Sequence, residues 1–307
     1  MPCTNKDKQK SSLKYYLLEP ATFKLDGGAM YGIIPKPLWQ KNHPADELNR
    51  VDLALRLWVI ETPEKLIVVD TGIGDYHDEK FNRLFDVKSD KNPIEQALNK
   101  LGKSCAEVSD LVITHLHFDH VGGIGVLEKD SWIPTFKNAT LHLHVAHLEY
   151  SKNCTPRDKG SFHTQNFLPI IDIYKESSRL ELYSGEEGEL FKLDSNTGEV
   201  LKFKCSHGHT PWLMHPFTDK LIYLADLVPT SNHIPTAWVM GYDISPGITT
   251  ADKEKMLKFI KENDLTMIFE HDPKFWGSKL AMNERGRLIA SEPREKEEAL
   301  AYKVSLS

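Results

Sequence analysis

Thr114-His115-Leu116-His117-Phe118-Asp119-His120 places three imidazoles and a carboxylate within six consecutive residues counted from His115. These are nitrogen and oxygen ligands of the kind that zinc and comparable divalent ions take. The apolar run Leu111-Val112-Ile113 before them reads as a buried strand, and Gly122-Gly123 after them lets the chain turn. A rigid strand ending in a ligand-rich loop is a sound support for a metal. A surface loop that merely happens to be rich in histidine is the weaker reading, because further ligands follow in order. His209 lies in Ser206-His207-Gly208-His209-Thr210-Pro211, after the alternating stretch 200–205. Asp226 ends Leu221-Ile222-Tyr223-Leu224-Ala225, and His271 follows Thr266-Met267-Ile268-Phe269-Glu270. Seven candidate ligands at strand ends suffice for two ions. A shared ligand is then needed, and a carboxylate bridges more readily than an imidazole, which singles out Asp226.

The pattern resembles the metallo-β-lactamase superfamily over roughly residues 28 to 275. The resemblance rests on His-x-His-x-Asp-His at 115–120, the Gly-His-Thr-Pro turn at 208–211, Ala225-Asp226 after a strand, and the late His271. Asp70-Thr71-Gly72, after Leu66-Ile67-Val68-Val69, is similar to the family's early Asp-Thr-Gly turn. Within the superfamily, His115 to Gly123 together with Gly28-Ala29-Met30-Tyr31-Gly32-Ile33-Ile34-Pro35-Lys36 most resembles the branch of quorum-quenching N-acyl homoserine lactonases and methyl parathion hydrolases. The fold implied is α/β, a four-layer αβ/βα sandwich with the metal site at one edge of two sheets.

The resemblance also implies roles. His115, His117 and His209 would hold one ion, Asp119, His120 and His271 the other, and Asp226 would bridge them. Two divalent ions about 3.5–4 Å apart share a water and lower its pKa toward roughly 7, and the hydroxide attacks an acyl carbon or phosphorus. Asp119 would also pass a proton to the leaving alkoxide. Asp70 would orient a ligand histidine through its other ring nitrogen. Zinc suits these ligands, as do iron, cobalt and manganese. In the lactonases the Met30 loop often reaches a neighbouring subunit, so a homodimer is expected. One departure concerns substrate. Many acyl-homoserine lactonases carry a Tyr three residues after the bridging Asp, and here that place is Pro229. His233 and Tyr242 are the two candidates for the missing hydrogen-bond donor.

Composition narrows the function classes. The formal charge of −6, from 38 basic and 44 acidic residues, argues against a nucleic-acid partner. Cys3, Cys105, Cys154 and Cys205 are too scattered for a disulfide framework or a structural zinc site, and Cys205 reads as a small buried strand residue. Residues 1–14 show no apolar signal segment, and no apolar run reaches the length of a membrane span, so a soluble, cytoplasmic protein is expected. Residues 1–13 read as a flexible arm and 14–307 as one hydrolase domain, because a cut between 115 and 271 would break the site.

Along the chain, Val51, Leu53, Leu55, Leu57 and Val59 alternate, which predicts a strand with one face in the core, pairing with Leu66 to Val69 across Thr62-Pro63-Glu64-Lys65. Residues 73–91 read as a charged loop or short helix. Asn92-Pro93 reads as a helix start ending at Gly102, and residues 250–263 as an amphipathic helix. Residues 153–190 read as an irregular cap with one apolar island, Phe167 to Ile171, and the tail after Arg294 as a terminal helix or docking segment. His142, His144, His147, His163, His207 and His215 read as ordinary strand or loop histidines, since seven ligands are already assigned. Met30, Tyr31, Ile33, Trp212, Trp238, Met240 and Tyr242 are candidates for an apolar pocket wall.

The leading expectation is therefore a binuclear hydrolase opening a lactone, with a phosphotriester or aryl-ester hydrolase as the alternative on the same site. Thioesterase action of the glyoxalase II type is disfavoured, because no basic cluster is legible near the C-terminus. β-Lactamase action is disfavoured by the ligand pattern. A non-catalytic metal scaffold is disfavoured because the ligand set is complete.

Overall fold

The computed structural model describes residues 13–129, 131–195, 198–297 and 299–304. Most of the expected N-terminal arm, residues 1–12, lies outside the described residues. The first sheet runs in the order Ala301–Lys303, Lys14–Asp26, Arg50–Glu61, Leu66–Val69, Asp110–Val112, Thr140–His144, Leu180–Tyr183, with Lys88–Ser89 beside Lys14–Asp26. The second runs Glu187–Lys192, Val200–Ser206, Leu213–Phe217, Leu221–Tyr223, Thr266–Ile268, Phe275–Met282, Leu288–Glu295. One apolar layer joins them: Trp58, Ile60, Ile67, Val69 and Val112 from the first sheet pack with Leu201, Phe203, Ile222, Met267 and Ile268 of the second. Leu57, Val59, Val68 and Leu111 face the other way, onto Ile94 and Leu98 of helix Pro93–Lys100 and Ile170 and Tyr174 of helix Thr164–Glu176. Met256, Leu257 and Ile260 of helix Pro246–Glu262 cover the second sheet. The chain thus has the expected layering of helix, sheet, sheet and helix.

Strand direction explains where a site can form. Leu66–Val69, Asp110–Val112, Thr140–His144 and Leu180–Tyr183 pair in parallel, and so do Leu221–Tyr223 and Thr266–Ile268. Residues that follow the carboxyl ends of parallel neighbours emerge at the same edge. Asp70, Thr114 onward, Asp226 and His271 all do so.

Four expectations differ from the structure. Strand Arg50–Glu61 is buried on both faces from Leu53 to Ile60, because it lies inside the sheet and both faces are covered. Residues 153–190 are more regular than expected: Thr164–Glu176 is a helix with Pro169 inside it, and Phe167, Ile170, Ile171 and Tyr174 form its buried stripe at helical spacing. The C-terminal tail is a strand, with Leu17 opposite Tyr302. Asn92 does precede helix Pro93–Lys100, but in a left-handed conformation and without a side-chain cap; its backbone N–H donates to Asp75 Oδ2 at 2.8 Å. No described helix is long and apolar enough to cross a membrane.

Candidate metal centre

The loop after Asp110–Val112 is locked before it reaches its histidines. Thr114 donates to both oxygens of the buried Asp70, from N at 2.8 Å and from Oγ1 at 2.7 Å. Thr71 donates from N and Oγ1 to His120 O, at 2.7 and 2.9 Å. The two loops lie so close that a Cβ on Gly122 would sit 2.3 Å from Ile73 O, and one on Gly123 2.3 Å from Thr71 O. The glycine pair is therefore required by close approach as well as by turning. On the second sheet, Ala225 holds a φ of 41° immediately before Asp226. A left-handed backbone at a residue with a Cβ costs on the order of 1 kcal/mol, a strain found at sites the surrounding fold imposes.

These loops bring all seven expected side chains together. Potential ligand atoms of His115, His117, His209 and Asp226 lie within 4.8 Å of one another, and so do those of Asp119, His120, Asp226 and His271. Asp226 belongs to both groups. His117 Nδ1 is 3.1 Å from His115 Nε2 and 3.1 Å from His209 Nε2. Asp226 Oδ2 is 3.0 Å from His209 Nε2, 3.8 Å from His115 Nε2 and 3.5 Å from His120 Nε2. Asp226 Oδ1 is 3.1 Å from His271 Nε2, and Asp119 Oδ2 is 3.7 Å from that nitrogen and 3.8 Å from His120 Nε2. Ligands about 2.0–2.1 Å from a tetrahedral zinc stand roughly 3.3 Å apart, so the spacing suits a small divalent ion.

The polar atoms also suit it. His120 Nε2, His271 Nε2 and Asp226 Oδ1 are buried and make no hydrogen bond. Asp226 Oδ1 and His271 Nε2 are 3.1 Å apart yet not aligned for hydrogen bonding. Burial and the neighbouring imidazoles hold His115 and His117 well below the usual histidine range, in the neutral form that ligates. Burial presses His209 and His271 the same way, yet the Asp226 carboxylate outweighs it and lifts both to about 9. Those protons supply positive charge that a cation would take over, and binding would release them.

Further groups fix the imidazoles from behind. Asp70 Oδ2 is 3.0 Å from His120 Nδ1, the place expected for an orienting carboxylate. Glu270 Oε2 is 2.9 Å from the same nitrogen but out of line for a hydrogen bond, and burial raises its carboxyl to about 7. Asp243 Oδ1 is 2.9 Å from His209 Nδ1, and Ala54 O is 2.8 Å from His271 Nδ1. Sequence reasoning missed Asp243 and Glu270. Glu270 carried a signal, a lone carboxylate closing the apolar run Thr266 to Phe269. Asp243 carried none, being one acid among many in a loop.

The two candidates for the missing donor separate. His233 is fully buried and has both ring nitrogens engaged, Nδ1 with Thr230 Oγ1 at 2.8 Å and Nε2 with Met30 O at 2.8 Å. Its ring stacks on Tyr31 at 4.8 Å, so it serves packing and offers no nitrogen to a substrate. The Tyr242 hydroxyl has no partner among the described residues. Burial raises its pKa, with the charges of Asp26 and Asp119 adding to the shift, so it stays a neutral donor. The expected pocket wall is only partly assembled. Met30, Tyr31 and Met240 are buried in a cluster with Phe23 and Trp39, with Trp238 and Tyr242 packed against it. Ile33 is 86% exposed, and Trp212 is stacked on His144 at 4.7 Å. From the expected cap, Phe162 packs on His117 at 4.7 Å and His163 stacks on Phe118 at 5.2 Å.

Comparison with known proteins agrees with this architecture. The family model described as the metallo-beta-lactamase superfamily matches residues 57–271. The N-acyl homoserine lactonase AttM of Agrobacterium fabrum is 26% identical over 192 residues, 62% of this chain and 67% of that protein. A probable metal-dependent hydrolase from Staphylococcus aureus superposes with a TM-score of 0.77 at 24% identity, covering 92% of this chain and 98% of that one. AidC, a dizinc quorum-quenching lactonase in complex with a product, superposes with a TM-score of 0.70 at 21% identity, covering 92% and 95%. At these identities the solved structures show a shared fold.

Proposed function

We propose, from the premise that this chain belongs to the metallo-beta-lactamase superfamily, that it is a dinuclear metal hydrolase whose substrates are lactones, acyl-homoserine lactones among them. The observation that carries the proposal is the position of Asp226, whose two oxygens serve two ligand groups at once. His115, His117 and His209 would hold one ion, and Asp119, His120 and His271 the other, with Asp226 common to both. Zinc is the ion we favour. Such ions, when bound, supply Lewis acidity toward the scissile carbonyl and toward a water.

The remaining chemistry falls to the chain's own residues. Asp70, Asp243 and the Ala54 carbonyl hold His120, His209 and His271 in one orientation each, so the site is arranged before substrate arrives. Asp119, buried within the second group, would carry a proton to the leaving alkoxide. Tyr242 would donate its hydroxyl hydrogen to the substrate carbonyl oxygen, the task that Pro229 cannot perform. The likeness to AttM supports the lactone assignment. Pro229 itself supports a second reading on the same site, a phosphotriester or aryl-ester hydrolase. We further propose a homodimer, on the likeness of the Met30 loop to that of the lactonases.

Turnover of butanoyl to dodecanoyl homoserine lactones, measured beside paraoxon-type triesters and aryl esters, tests the proposal. Lactones turned over fastest is the expected result. Turnover of triesters or aryl esters alone would replace the first reading with the second.

A further inference from the structure

His147 lies in helix Val145–Lys152, away from the ligand motifs in sequence, and is 0% exposed. Both its ring nitrogens reach backbone. Nε2 accepts from Leu116 N at 2.8 Å, and Leu116 is the residue between His115 and His117. An amide N–H can only donate, so Nε2 carries no proton and Nδ1 does. Nδ1 then donates to Pro211 O, 2.8 Å away and two residues past His209. The two partners leave one tautomer and one ring orientation.

This ring therefore ties the ligand loop of the first sheet to the ligand loop of the second. Across that seam His117 Nδ1 and His209 Nε2 are 3.1 Å apart. A backbone bond, Met214 N to Thr114 O at 3.0 Å, crosses nearby. Neither imidazole of the other group leans on His147: Asp70 holds His120, and Ala54 O holds His271. His147 thus contacts the loops of His117 and His209 directly and neither His120 nor His271.

We propose that His147 is a positioning residue that sets the separation of His117 and His209 and so governs the affinity of the three-histidine half for its ion. The inference rests on the dinuclear reading above. Residues that orient metal ligands from behind typically contribute about 10–100-fold in metal affinity. His147 does this at one remove, through the backbone of the ligand loops.

The test is stepwise cobalt and zinc binding to the metal-depleted full chain by chelator competition, with the cobalt absorption spectrum recorded at each equivalent. Wild type, His147→Leu and His147→Gln are compared. Leucine removes both bonds at similar volume, whereas the glutamine amide can still accept from Leu116 N. The expected result is one binding step weakened about 10–100-fold in His147→Leu, the other within about threefold, an intermediate loss in His147→Gln, and a cobalt spectrum altered only for the weakened step. If His147→Leu does not fold, the glutamine variant alone decides by the same split. Two steps weakened equally, or neither weakened, would overturn the role of His147 while leaving a two-metal wild type intact. A wild type that takes up fewer than two ions would overturn the dinuclear reading and this inference with it.

Discussion

Asp243 Oδ1 lies 2.9 Å from His209 Nδ1, and this contact leaves His209 Nε2 free to face His117 and Asp226. The other Asp243 oxygen accepts from Met240 N at 3.2 Å, so the carboxylate is itself held. Asp243→Asn keeps an acceptor but loses the charge, and Asp243→Ala loses both. Zinc affinity is expected to fall about tenfold in the first and up to about a hundredfold in the second. Chelator competition measures this, and equal affinities in all three proteins would show that Asp243 does not orient His209.

Tyr242 and His233 should part in kinetics. Tyr242→Phe removes one hydroxyl and is expected to lower kcat/KM for lactones about tenfold, the worth of a single hydrogen bond to substrate. His233→Gln should lower the thermal midpoint and leave the pH profile of kcat unchanged, because both of its nitrogens serve Thr230 and Met30. The reverse pattern would return the donor role to His233.

Arg56 is fully buried and holds the backbone on both sides of His271. Its guanidinium donates to Phe269 O, and to Asp272 O at 3.1 Å, while Glu19 Oε1 accepts at 2.6 Å. Tyr302 of the C-terminal strand donates to the same Glu19 oxygen at 2.8 Å. Arg56→Met leaves a buried carboxylate without its main partner and is expected to cost about 3–5 kcal/mol of stability. Adding Glu19→Gln should recover part of it. Urea unfolding of the single and double variants gives the comparison, and an additive double variant would mean that the two residues do not act as a pair.

Stability should fall in mild acid. Burial lowers His215 to about 3, and burial together with the Lys253 charge does the same to His233. In the unfolded chain both titrate near about 6.5. Below that pH the unfolded state binds protons the folded state refuses, so unfolding is favoured as pH falls from about 6.5 toward 3, and this contribution is constant above about 6.5. The urea midpoint followed from pH 7.5 to 4.5 should drop, and His215→Gln should drop less steeply. An unchanged slope in that variant would mean that His215 accepts a proton in the folded chain.

The layered fold and the gathering of seven side chains were legible because the ligands cluster just after strand-like runs, and the parallel strands deliver the ends that carry His115 to His120, Asp226 and His271 to one edge. What was hidden acts across elements. Asp243 and His147 touch the site only through loops brought together by two sheets, so neither spacing nor neighbours in sequence mark them. Arg56 interrupts the run Leu53 to Ile60, and its partner Glu19 lies 37 residues away. Pro169 obscured a helix whose buried stripe, Phe167 to Tyr174, was present in the spacing. Met30 and Tyr31 looked like pocket wall because their spacing suggested a loop rather than core, but stacking on Trp39 and His233 places Tyr31 in the core.

The most direct measurement is hydrolysis of hexanoyl homoserine lactone by metal-depleted protein as zinc is added back, with bound metal counted at each step. A dinuclear site entails no turnover in the depleted protein and a rise that saturates at two zinc ions per chain. Full turnover without metal, or saturation at a single ion, would contradict it.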